Sequence, residues 1–151
     1  MKNKICFLCI GNINRSRAAE AIFNSLKLEN YTAISRGLLP SNSGKKISDN
    51  MNMLLTEEEK KYVSKEALDL TLSDIKESKY IIIMDYYVLN LLNIRFSPIW
   101  LEDKVKFFTS FFKDEEPFIP IKDPYKTNNY LEAYNDIKKY MQYIVDFLQT
   151  N

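Results

Sequence analysis

The residues able to do chemistry cluster near the start of the chain. Cys9-Ile10-Gly11-Asn12-Ile13-Asn14-Arg15-Ser16 places a cysteine, with five residues between, ahead of an Arg-Ser pair that opens a helical pattern. A loop of this kind wrapped around a tetrahedral anion turns successive backbone N–H groups inward. Gly11 is expected to supply the backbone freedom for that turn. The helix start behind the loop adds roughly half a unit of positive charge. Arg15 brings a planar fork that can hold two oxygens of the anion at once. The same positive field stabilises a thiolate at Cys9, and the Ser16 hydroxyl can donate to the sulfur and ease its later departure. The loop thus pairs a sulfur nucleophile with an oxyanion cradle.

A second element, Asp123-Pro124-Tyr125, lies in an irregular stretch before the last helix. Breaking a phosphate ester requires a proton for the leaving oxygen, which a nearby carboxylic acid can give. Pro124 restricts the backbone at Asp123 and fixes its aim, and Tyr125 offers an aromatic wall to a flat substrate. Cys6-Phe7-Leu8-Cys9 also fits a C-x-x-C redox pattern. Such pairs act at a helix N-terminus, whereas Cys6 falls mid-strand as a small buried hydrophobe. Pairing of an oxidised Cys9 with Cys6 remains open at this level.

Composition narrows the choices. The chain has 151 residues, 21 Lys+Arg against 20 Asp+Glu, two cysteines and no histidine. Without histidine, Ser-His-Asp and Cys-His catalysis, histidine phosphorelays and His-ligated metal sites are excluded. A formal charge of +1 argues against a nucleic-acid partner. With 46% hydrophobic residues the chain should fold throughout as one domain, residues 1–151. The start Met1-Lys2-Asn3-Lys4 leads into too short an apolar run for a secretory signal. No run approaches the ~18 residues of a membrane span. The expectation is a cytoplasmic protein with reduced thiols and no membrane contact.

The elements that must hold these residues alternate between strand and helix. Lys4–Cys9 reads as a strand buried on both faces, followed by a helix from Ser16 through Leu26. Tyr31–Ser35 reads as a second strand, and residues 38–44 as a polar loop. Lys45–Lys60 reads as one helix with Ile47, Met51, Leu54 and Leu55 along a face, and the charged run from Glu57 to Lys61 as its solvated end. A short helix opens at Ser73-Asp74. Tyr80–Met84 is the strongest strand signal, and Asp85 an N-cap for a helix through Leu92. A fourth strand falls at Val105–Phe108, then an irregular loop over 114–129. In the last helix Tyr130, Tyr134, Ile137, Met141, Ile144 and Leu148 form one stripe. This alternation implies an α/β fold, a parallel sheet with helices on both faces. Ligands then bind at the carboxyl ends of the strands.

With CIGNINRS after the first strand and DPY before the last helix, the chain resembles the low-molecular-weight protein tyrosine phosphatases. The likeness covers essentially the whole chain, with weaker matches at Ser35-Arg36-Gly37, Ser64-Lys65 and Met84-Asp85. It implies a four-stranded parallel sheet and a two-step reaction with no metal or cofactor. Cys9 would attack phosphorus and Arg15 would bind the phosphoryl group. Asp123 would protonate the leaving phenol and later activate water. Ile10, Gly11, Asn12, Ile13, Asn14 and Ser16 would form or support the loop, and Tyr125 the substrate rim. Phosphotyrosine proteins or small aryl phosphates are the implied substrates, and phosphate and vanadate-like oxyanions the implied inhibitors.

The chain departs from that pattern in several places. Asn14 stands where many members place a second cysteine. Arg17 replaces a common proline, which is expected to put charge at the loop mouth and favour acidic substrates. Lys126 replaces an aromatic, and a histidine near Ser64 is absent. Arsenate reductases of this fold relay electrons through later cysteines, and none follows Cys9. Phosphoarginine phosphatases of the same fold tend to carry threonine at the position of Ile13, so Ile13 favours phosphotyrosine. A binding-only relative is expected to lack the nucleophile, the arginine or the acid, and all three are present.

Overall fold

A computed structural model of the chain describes residues 1–150. Four strands, β1 (Asn3–Leu8), β2 (Tyr31–Arg36), β3 (Ser78–Ile83) and β4 (Val105–Phe107), form one parallel sheet in the order β2-β1-β3-β4. The helices are α1 (Arg15–Ser25), α2 (Asp49–Asn52), α3 (Glu57–Lys60), α4 (Leu72–Glu77), α5 (Tyr86–Arg95), α6 (Pro98–Leu101), α7 (Pro124–Thr127) and α8 (Tyr130–Thr150). The single-domain α/β architecture expected from the alternation is the one observed.

The strands read as unbroken apolar runs because each feeds two cores. From β1 and β3, Ile5, Phe7 and Ile82 face a core that includes Ile22 and Phe23 of α1 and Ile137, Met141 and Ile144 of α8. Their neighbours Cys6, Leu8, Ile81 and Ile83 face a second core with Ile75 of α4 and Val88 and Leu92 of α5. This is the period-two alternation of a strand buried on both sides. The expected stripe of α8 is buried at Tyr134, Ile137, Met141, Ile144 and Leu148.

The chain leaves β1 in both directions across the sheet, with β2 on one side and β3 on the other. Leu8 pairs with Arg36 of β2 and Ile83 of β3. The loops after all three strands therefore leave the sheet at one level, at a topological switch point. Cys9, Gly37 and Asp85 start from that level.

The single helix expected over Lys45–Lys60 is two helices. Ser48 caps α2 through Met51 N–H, and Thr56 opens α3 with a reciprocal capping box to Glu59. Two strong N-caps eight residues apart override the apolar spacing, while Met51 and Leu55 still reach the core. Nor is the charged run at α3 fully solvated. Glu59 is buried, accepts from Tyr134 Oη at 2.7 Å and is bonded by Lys138 of α8. Proximity of Lys138 and these donors holds its carboxyl below the usual range despite the burial that opposes ionisation.

Candidate active site

The loop from Cys9 to Asn14 joins β1 to α1, and its geometry follows from a few bonds. Asn14, at the N-cap position, makes no side-chain cap to α1. Its Oδ1 instead accepts from Ser48 Oγ. The first turn of the helix is therefore open toward the loop, where its N–H groups can meet an anion.

Cys9 Sγ sits at the base of this loop and is almost wholly buried. It accepts from Asn12 N–H at 3.2 Å and lies 3.0 Å from Ser16 Oγ. Asn12 Nδ2 donates to Ser16 Oγ at 2.7 Å, which leaves the serine proton for the sulfur. Two donors, Asn12 N–H and the Ser16 hydroxyl, thus converge on one sulfur. Asn12 and Ser16 are buried beneath the loop, so they support it and do not line its cavity.

The tight residue of the loop is Asn12, not Gly11. Asn12 has φ 53°, in the left-handed region, while Gly11 has no positive φ. Asparagine tolerates that region better than other side-chain residues, and here both ends of its amide are held: Oδ1 accepts from Leu68 N–H at 2.9 Å, and Nδ2 reaches Ser16. A Cβ at Gly11 would lie 2.9 Å from Asn42 Nδ2, the end of a side chain that can move aside. Gly37 matters more, because its Cβ would meet Asn12 Cβ at 2.9 Å and Asn12 N at 3.0 Å. The backbone after β2 is thus the floor on which the loop rests.

Arg15 is 2% exposed and is fixed from the opposite edge. Its Nη1 donates to Asp85 Oδ2 at 2.7 Å and to the Ile121 carbonyl at 2.6 Å. Asp85 closes β3 and caps α5 by accepting from Val88 N–H, so one carboxylate ties helix, strand and guanidinium together. Asp123 caps α7 through Tyr125 N–H at 3.0 Å, and its Oδ2 lies 3.8 Å from Arg15 Nη2. The Ile121 N–H bond to the Met84 carbonyl fastens this segment to the end of β3.

Cys9, Ile10, Gly11, Ile13, Asn14, Arg15, Asp123 and Tyr125 all line one cavity of about 450 Å³. The sequence-derived catalytic residues and rim are therefore brought together. Leu39, Asn42, Lys45, Asp85, Tyr87 and Lys126 complete the walls. Of these, Asp85 was legible as a helix cap and within the weaker Met84-Asp85 match, and Tyr87 carried no sequence signal. Among the described residues no group of three or more His, Cys, Asp or Glu is placed to hold a metal.

One expectation changes. Arg17 is not at the mouth: it is fully buried and donates to the backbone carbonyls of Asn12, Lys45 and Ser64. Cys6 faces the core opposite to that of Cys9. Burial pushes its thiol far up, so neither direction nor ionisation suits it to a dithiol pair with Cys9.

A buried cysteine and arginine sharing one anion loop, faced by a carboxylate at the carboxyl edge of a parallel sheet, define the class of cysteine-loop phosphatases. Residues 4–151 match the family model for low molecular weight phosphotyrosine protein phosphatases, and the chain belongs to that family. Among solved structures it is similar to YfkJ from Bacillus subtilis, with 25% identity, a TM-score of 0.85, and 99% of this chain and 96% of that one covered. It is also similar to SP-PTP, a low molecular weight protein tyrosine phosphatase from Streptococcus pyogenes, at 27% identity and TM-score 0.76 over 99% and 93% of the two chains. The fold matches that of YwlE arginine phosphatase from Geobacillus stearothermophilus at 23% identity and TM-score 0.84, over 98% and 94%. A comparison with curated proteins finds no match. Among the described residues no helix is long and apolar enough to cross a membrane.

Proposed function

We propose that the chain hydrolyses phosphotyrosine monoesters through a phosphocysteine intermediate. The observation that carries this reading is the convergence of Cys9 Sγ, the Arg15 guanidinium and the Asp123 carboxyl on one cavity. The substrate phosphoryl group enters the loop, where backbone N–H groups and Arg15 bind its oxygens. The Cys9 thiolate attacks phosphorus as the P–O bond to the phenol breaks, and Asp123 gives its proton to the departing oxygen. Water then attacks the phosphocysteine, Asp123 takes a proton from it, and the S–P bond breaks to release phosphate. Ser16 donates to the sulfur as negative charge returns to it.

Phosphoarginine is the second reading, favoured by the likeness of fold to an arginine phosphatase. Ile13 weighs against it, because it presents an alkyl side chain to the cavity and no hydrogen-bond acceptor for a guanidinium. A side-by-side assay on phosphotyrosine, phosphoserine and phosphoarginine peptides separates the two. Turnover confined to phosphotyrosine supports the first reading; turnover confined to phosphoarginine replaces it.

The acid is tested through the leaving group. Asp123→Ala should lower kcat by about 10²–10⁴ for phenols of high pKa and much less for good leaving groups. An equal loss across the series would remove Asp123 from that role. Vanadate should compete with substrate, raising KM without lowering kcat, as expected of an oxyanion held in the same loop. Purely non-competitive inhibition would place the anion elsewhere.

A further inference from the structure

Two lysines stand on the mouth of the cavity, and neither is ion-paired with a carboxylate among the described residues. Both are held against the cavity wall. Lys126 Nζ lies 5.0 Å from the centroid of the Tyr87 ring, which projects from the first turn of α5. Lys45 Nζ donates to Asn42 Oδ1 at 2.9 Å, and Asn42 Nδ2 donates in turn to the Gly11 carbonyl at 3.2 Å. One ammonium is thus braced by an aromatic face, the other through an amide to the anion loop itself.

Both carboxylates of the same cavity face Arg15 and not the lysines. Asp85 Oδ2 is taken by Arg15 at 2.7 Å, and Asp123 Oδ2 is turned toward Arg15 at 3.8 Å. The floor of the cavity therefore carries Arg15 with two carboxylates, while the rim carries two unmatched positive charges. A phosphorylated side chain reaching the floor must lay the peptide around it across that rim. Tyr125, 84% exposed, gives this approach an apolar surface but no charge.

We infer that Lys45 and Lys126 form a cationic collar that selects phosphotyrosine segments carrying Asp or Glu beside the phosphorylated residue; this rests on the phosphatase activity proposed above. The collar replaces Arg17 as the source of acidic preference, since Arg17 is enclosed behind the loop. It acts on the flanks of the substrate and not on the phosphoryl group, so it sets which peptides are processed and not whether the reaction occurs. Each exposed pair is worth a factor of about 1.5–5, and two together roughly 2–25-fold at low salt.

The test uses phosphotyrosine peptides of one length with Asp, Asn or Lys flanking the phosphorylated residue, read as kcat/KM at low and high salt. The expected order is Asp, then Asn, then Lys, with a spread of about 2–25-fold that collapses as salt screens the collar. The double variant K45M/K126M should bring the Asp-to-Lys ratio near one, and K45E/K126E should invert it. Equal kcat/KM across the wild-type series, or an unchanged ratio in these variants, overturns the collar and leaves the phosphatase reading standing. No turnover of any phosphotyrosine peptide or of a small aryl phosphate overturns that reading, and the collar with it.

Discussion

Replacing Cys9 with serine should lower turnover of an aryl phosphate by about 10⁴-fold or more, because removal of an activated nucleophile costs on that order. The structure explains why serine cannot substitute. Two donors, Asn12 N–H and Ser16 Oγ, converge on the sulfur. They can stabilise an ionised thiol, yet they cannot take a proton from an alcohol. The chain has no histidine to act as that base, and Asp123 is assigned to the leaving group. Anion binding should survive the change, since Arg15, the loop amides and the open first turn of α1 do not depend on sulfur. Saturating phosphate at ~100 Kd should still stabilise the Cys9→Ser protein by about 2.7 kcal/mol, a rise in Tm of roughly 5–10 °C at this size. Thermal melts with and without phosphate, beside an assay of the same preparation, check both halves. Turnover within tenfold of the wild type would sink the nucleophile assignment. Loss of the phosphate shift would mean that anion binding depends on the sulfur and not on Arg15 and the loop amides alone.

Much of the site was legible in the sequence because the loop is contiguous. Eight consecutive residues supply the nucleophile, the amides, the arginine and the serine, and the strand before them and helix after them are strongly patterned. Asp123 was legible as well, through Pro124 and its place before the last helix. Asn42, Lys45 and Tyr87 were not, because each reaches the cavity from a segment remote in sequence, and Asp85 and Gly37 showed only as parts of weaker matches. Their positions depend on sheet order and on the common level at which β1, β2 and β3 end. Asp85 illustrates the gap: its local cap to Val88 was readable, but its bond to Arg15, seventy residues away, was not.

Arg17 shows an expectation that helix geometry could have corrected. At about 100° per residue, Arg15 and Arg17 project from α1 roughly 200° apart. If Arg15 faces the anion, Arg17 must face away from it. The break between α2 and α3 is similar, since Thr56 and Glu59 spell a capping box that outranks the apolar spacing around it. Local rules thus competed in the sequence, and the structure shows which won.

Arg17 also carries the largest expected effect on stability. Its guanidinium is 0% exposed and bridges three backbone carbonyls, those of Asn12 in the anion loop, Lys45 after the 38–44 loop and Ser64 beyond α3. It also supplies positive charge to Glu20, one turn along α1, which is 7% exposed and accepts from Ser35 Oγ at 3.0 Å. Burial pushes the Glu20 carboxyl up, opposed by the neighbouring Ser64 and Ser35 hydroxyls and by Arg17. Arg17→Met fills similar volume but leaves those carbonyls and that carboxylate without their cation. The expected cost is on the order of 3–5 kcal/mol.

The loss should also depend on pH, with a sign that follows from Glu20. Its folded-state pKa lies above the unfolded value, so the folded protein keeps this proton longer and the burial of Glu20 costs more stability as pH rises. Without Arg17 the pKa rises further. The gap between wild type and Arg17→Met should therefore widen from the carboxylate range toward neutral pH. Urea unfolding of both proteins at acidic and neutral pH measures it. Arg17→Lys keeps a charge but, as a compact ammonium, cannot span three carbonyls. It should restore the wild-type pH slope while recovering only part of the stability. A wild-type melting point in Arg17→Met would contradict the bracing role, and an equal gap at both pH values would contradict the coupling to Glu20.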